Sequence, residues 1–196
     1  MPLVTTRASV AYGAGFGKVL GAAAAVDAGA MFPIFATTVT STAASITFSN
    51  IPTTYTHLQV RYISRTNLAS ASANLQVTFN SDTTSGNYSF HRLVGDGSSV
   101  SAYGQSGLDT IALSAGANSG TNIFGVGVMD IVDYKNTNKY KTTKILTGLI
   151  RNNTVDSYSM MRTQVWINTN AIASITFTPS SGSLVANSSF ALYGIK

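Results

Sequence analysis

The polarity of the chain alternates with a period of two over most of its length. In HLQVRYISR (57–65), Leu58, Val60 and Tyr62 fall on one side, with His57, Gln59, Arg61 and Arg65 on the other. NLQVTFN (74–80) repeats the pattern, setting Leu75, Val77 and Phe79 against Gln76 and Thr78. Successive side chains of an extended strand point to opposite faces. Such runs therefore predict strands with one core face and one polar face, as in an antiparallel sheet. SITFS (45–49), YSFHRLV (88–94), LDTIAL (108–113), SITFTPSSG (174–182) and SSFALYGI (188–195) read as further strands. The first ends before Pro52 and the 174–182 run reaches Pro179, because proline has no N–H to give to a ladder. SDTTSGN (81–87) predicts a turn, GDGSSVSAYGQSG (95–107) a long polar loop, and SAGANSGT (114–121) another connection.

The strongest pattern lies between Asn122 and Ile150. NIFGVGVMDIVDY carries Ile123, Gly125, Gly127, Met129 and Ile131 on one side and Phe124, Val126, Val128, Val132 and Tyr134 on the other. Both rows are largely apolar, which predicts a strand buried on both faces. Gly125 and Gly127 leave a trough on their shared face. KNTN (135–138) supplies a turn, and KYKTTKILTGLI returns as the second arm of a hairpin. Two strands alone are barely stable, so other strands and a second layer must cover them. YSMMRTQVWINT (158–169) divides into a row of Met161, Thr163, Val165 and Ile167 and a more polar row of Met160, Arg162, Gln164, Trp166 and Asn168. About nine or ten short antiparallel strands predict an all-β fold, an antiparallel β-sandwich of jelly-roll type. ASITF occurs at 44–48 and again at 173–177, but the sequences between do not repeat and imply no duplicated domain.

Residues 1–44 break the alternation. They are rich in Ala and Gly, with Arg7, Lys18 and Asp27 as their charges, and Tyr12, Phe16, Phe32 and Phe35 interrupt the flexible backbone. A solvated linker has no need of such rings. The chain thus divides into an N-terminal docking arm (1–44) and a sandwich domain (45–196). In one reading the four rings anchor the arm on a neighbouring subunit; in the other the arm folds back over its own sheet. The alanines near 18–28 permit a short helix. Residues 19–30 are too short and too polar for a membrane span and lack the shape of a secretory leader, so no membrane insertion is expected.

Composition narrows the chemistry. Of 196 residues only 10% are charged, Glu is absent, and Ser, Thr and Asn abound, which favours strands and turns over helices. There is no cysteine, hence no disulfide and no thiolate metal site. The net charge of +5 raises the possibility of a basic patch from Lys135, Lys139, Lys141, Lys144 and Arg151. Asp130 and Asp133 lie among them without interleaved stacking rings, so solubilising hairpin lysines are expected and no specific nucleic acid. His57 and His91 have no partner at a catalytic spacing. The aspartates match no calcium loop, GAGFG lacks the spacing of a dinucleotide site, and Asp130 and Asp133 point to opposite faces. No catalytic, metal or cofactor residue is assigned, and no enzyme activity is expected. Trp166, with Arg162 in its row, and Tyr103 in the polar loop are candidate surface contacts. Trp166 reads first as core packing, next as subunit interface and last as a carbohydrate platform.

Three segments, HRLVGDGSSVSAYG (91–104), DIVDYKNTNKYKTT (130–143) and SSFALYGIK (188–196), resemble a family of small virion structural proteins of tailed bacteriophages, especially phages of aquatic bacteria. ASITFSNIPTTYTHLQVR (44–61) supports the match, and TTRASVAYGAGFG (5–17) is similar to the starts of such proteins. The resemblance implies a virion component without catalytic residues: a tail-fibre or baseplate-associated protein, or a capsid decoration protein. Its implied partners are other virion proteins and copies of itself, a trimer by analogy, with a host-surface glycan as a further possibility.

Overall fold

Each alternating run forms a strand, and in most of them the apolar row turns inward. The computed structural model describes residues 30–108, 110–151 and 157–196. The chain divides into two units, Met1–Phe32 and Pro33–Lys196, and the second carries the sheets. In chain order the strands are β1 (Met31–Thr38), β2 (Thr42–Ala43), β3 (Ile46–Phe48), β4 (His57–Ser64), β5 (Ser72–Phe79), β6 (Tyr88–Gly95), β7 (Val100–Ser106), β8 (Thr110–Ala115), β9 (Gly125–Ile131), β10 (Lys141–Leu149), β11 (Tyr158–Trp166), β12 (Ile175–Pro179), β13 (Leu184–Val185) and β14 (Ser189–Ile195). Eight form a large sheet in the order β1-β14-β4-β9-β10-β11-β6-β7, four form a smaller sheet β3-β12-β5-β8, and β13 pairs with β2. The result is an all-β, sandwich-like stack of antiparallel sheets.

The anchoring hairpin occupies the centre of the large sheet. Val126 pairs with Gly148 and Ile131 with Thr143, while β9 takes β4 as its other neighbour, Met129 facing Val60. Early strands meet late ones in nested order: β4 with β14, β5 with β12 and β6 with β11. The two ASITF copies lie side by side, Ile175 opposite Phe48 and Phe177 opposite Ile46, with Thr47 and Thr176 hydroxyls 2.9 Å apart. A sequence placed antiparallel to itself pairs its ends with its beginnings, which explains the echo without duplication.

The core forms where Leu58, Val60, Met129, Ile131 and Ile145 of the large sheet meet Leu75, Val77, Phe79, Ile175 and Phe177 of the small one. Full burial of each such side chain contributes roughly 1.5–3 kcal/mol. The glycine trough is filled. Tyr62 lies over Gly127, and the backbone of Ser114 comes so close to Gly125 that a Cβ there would stand 2.9 Å from its Cα. The small residues of β9 thus let the edge strand of the small sheet approach.

Three expectations are corrected. The second row of β9 is not buried: Val126 is 49% exposed, because the outer face of the large sheet has no layer over it among the described residues. Residues 100–106 are not loop but strand β7, hydrogen-bonded to β6 through backbone groups that do not depend on side-chain polarity. Lys141 is not a solubilising lysine; it is wholly buried, and its Nζ donates to the carbonyls of Lys139 and Thr169, each at 2.9 Å. The helix near 18–28 lies outside the described residues.

Candidate functional site

Strand β11 determines which groups reach each face. Trp166 is 1% exposed, packed on Phe79 with ring centroids 5.7 Å apart, and its Nε1 donates to Asp82 Oδ2 at 2.8 Å. An indole is the largest apolar body on the strand and carries a donor that must be satisfied. Placing it inward with that partner turns Arg162 and Gln164 inward too, because the side-chain period is two. Arg162 is likewise 1% exposed, with its guanidinium 5.8 Å from the Phe90 ring centre and its Nε donating to Met160 Sδ at 3.1 Å. Trp166 and Arg162 are therefore not surface contacts; packing of the indole overrides the binary pattern. Tyr103 is 48% exposed on β7, its hydroxyl donating to Gln105, but it points to the same inner face as Arg162.

With the polar row inside, the apolar row faces out. Register places Arg61, Val128, Leu146, Met161, Leu93 and Ala102 in one line across six strands of the outer face. Leu146 is 62% exposed, and Met161 and Leu93 are also exposed. The adjoining line adds Ile63 beside Val126, also exposed. A band of aliphatic side chains therefore crosses the sheet perpendicular to its strands. On its other flank lie Gln59, Asp130, Lys144, Thr163 and His91, with Gln59 Nε2 donating to Asp130 Oδ1 at 2.8 Å. The band ends in an open groove of about 510 Å³ whose lining includes Arg61, Ile63, Ser189, Ala191 and Thr37. Single exposed aliphatics are ordinary on a protein surface; a contiguous set rimmed by polar groups is the mark of an interaction surface.

The remaining candidates are dispersed. Phe35 stacks on Phe48 of its own unit, ring centroids 6.0 Å apart. Phe32 is half-buried on β1, and Tyr12 and Phe16 lie outside the described residues. The basic set does not form a patch: Lys139 pairs with Asp133 at 2.5 Å, Lys144 stands opposite Asp130, and Arg151 donates to the Asn118 carbonyl. His57 also meets Asp133, at 3.5 Å. Burial works against the charge of Asp82, but hydrogen bonds from Trp166, Asn87 and Thr84 outweigh it and hold its pKa at about 2. It serves as the fixed acceptor of a turn. Among the described residues no three His, Cys, Asp or Glu converge as a metal site.

No family model, curated protein or solved structure matches the chain. The outer band is hidden in the sequence because two apolar rows in one strand predict burial on both sides. The same pattern fits a strand with one row in the core and one at an interface.

Proposed function

We propose that this chain is a non-enzymatic structural protein of a tailed-phage virion, a tail-fibre or baseplate-associated component. It would hold its place in the particle through the outer face of the large sheet as well as through its N-terminal arm. The observation that carries the assembly role is the band Leu93, Met161, Leu146, Val126 and Ile63, apolar and exposed across neighbouring strands. The virion setting rests on the resemblance of residues 91–104, 130–143 and 188–196. The nested pairing of early with late strands supports a jelly roll, in which a folded-over pair of antiparallel strands wraps into two sheets. A closed ring of copies, three by analogy, would cover the band on each protomer.

The test is incorporation into particles. Wild-type chain is expected to co-purify with intact virions, and Leu146→Asp to be excluded from them while its thermal stability stays within about 0.5 kcal/mol of wild type, as for an exposed site. Retention of Leu146→Asp at the wild-type level would overturn the outer face as the docking surface. Absence of the wild-type chain from particles would overturn the virion reading.

A further inference from the structure

On the inner face of the large sheet, one line of register partners runs Leu192, Val60, Met129, Ile145, Arg162, Arg92, Tyr103. Its first four members are wholly buried core. The line then changes character: Arg162 and Arg92 stand directly opposite each other on β11 and β6, and Tyr103 follows on the edge strand. Like charges directly opposite on a sheet repel. These two nevertheless border the same cavity of about 280 Å³, together with Ser72, Asn74, Ser101 and Asp96.

The guanidinium groups are held by aromatic faces. Arg92 lies 5.1 Å from the centre of Tyr103, and Arg162 5.8 Å from that of Phe90. Stacking occupies the flat faces of a guanidinium and leaves its N–H edges for in-plane acceptors. The Nε of Arg92 is buried and has no hydrogen-bond partner among the described residues. A buried donor left unmade is costly, so an acceptor at this position would be stabilising. The carboxylate on the cavity wall is turned elsewhere: Asp96 accepts from the Ser98 and Ser99 amides at 2.8 and 2.7 Å and from the Ser99 hydroxyl at 3.0 Å. Ser72, Asn74 and Ser101 add neutral hydroxyl and amide groups to the lining.

We infer that this cleft binds a carboxylate carried on a small hydroxylated molecule, an acidic sugar of the uronate class, with Arg92 as its principal anchor. The planar fork of an arginine matches a carboxylate in two hydrogen bonds, and neutral polar groups suit sugar hydroxyls. This site lies on the opposite face of the sheet from the apolar band and does not depend on the virion reading.

Titration of the full chain with glucuronate, glucose and inorganic phosphate, followed by calorimetry, tests the inference. Saturable binding of glucuronate is expected, with glucose and phosphate each at least about tenfold weaker. Arg92→Met is expected to lose about tenfold or more in affinity, and Arg92→Lys, which keeps the charge without the fork, nearly as much. Lys135→Met, on the exposed hairpin turn, is expected to bind as wild type. Arg92 is only half-buried, and the thermal transition of each variant reports whether it is folded. No saturable glucuronate binding, equal binding by a folded Arg92→Met, or phosphate binding as tight as glucuronate would each overturn it.

Discussion

Tyr62 lies across Gly127, its register partner on the neighbouring strand, with Cε1 2.4 Å from where a Cβ on residue 127 would stand. The ring cannot easily retreat. Its hydroxyl donates to the Leu113 carbonyl at 3.0 Å and accepts from the Leu113 amide at 3.1 Å, tying the large sheet to the edge strand of the small one. Burial pushes the Tyr62 hydroxyl up to about 12, so it remains a donor at neutral pH. Gly127→Ala is therefore expected to destabilise the fold by about 1–3 kcal/mol through overpacking. Tyr62→Leu, which removes the obstructing ring, should make the alanine cost less in the double variant than alone. Urea unfolding of the four proteins measures that coupling.

Asp82 gives acid unfolding a defined contribution. Its folded pKa, about 2, lies below the ordinary value of 3.8. The unfolded chain therefore binds the proton more readily, and the stabilisation is complete above about pH 4 and lost as pH falls toward about 2. The melting temperature should drop over that window, and less steeply in Asp82→Asn and in Trp166→Phe, which lacks the indole donor. Trp166 is the sole tryptophan, so its fluorescence follows the transition in the wild type and in Asp82→Asn, and circular dichroism follows it in Trp166→Phe.

Arg65 closes the connection that leads into the central hairpin. Its Nη1 donates to Ser119 Oγ, Gly120 O and Ile123 O at 3.1, 2.7 and 2.7 Å, and its Nη2 to Ala117 O at 2.9 Å. A lysine supplies one point of charge in place of this fork. Arg65→Lys is expected to cost about 1–3 kcal/mol and to speed amide exchange across residues 117–123. Unchanged exchange there would show that the loop holds its shape without the guanidinium.

The strand pattern was legible wherever one row was apolar and the other polar: 57–64 and 72–79 fold as the alternation predicts, with Leu58, Val60, Leu75 and Val77 wholly buried. The hairpin was legible from its Asn-rich turn between two apolar-rich arms, but the outward exposure of the Val126 row was not. Alternation alone could not choose the inward row of 158–166, because the choice depended on Asp82 lying within reach of one indole. Nor could it find β7, whose VSAYGQS is small and polar and is held by backbone bonds to β6. The facing arginines were invisible for a further reason: Arg92 and Arg162 are far apart in sequence, and only the pairing of β6 with β11 sets them side by side.

The strand order also constrains how the chain is made. β14, residues 189–195, sits between β1 and β4. On a ribosome, both those strands emerge long before the segment that joins them and wait with open ladders. Closing a sheet across so much intervening chain is intrinsically slow, and unpaired edges in the interval invite pairing with other nascent copies. A partly made chain of this topology leaves those strand edges unpaired until residues 189–195 have emerged.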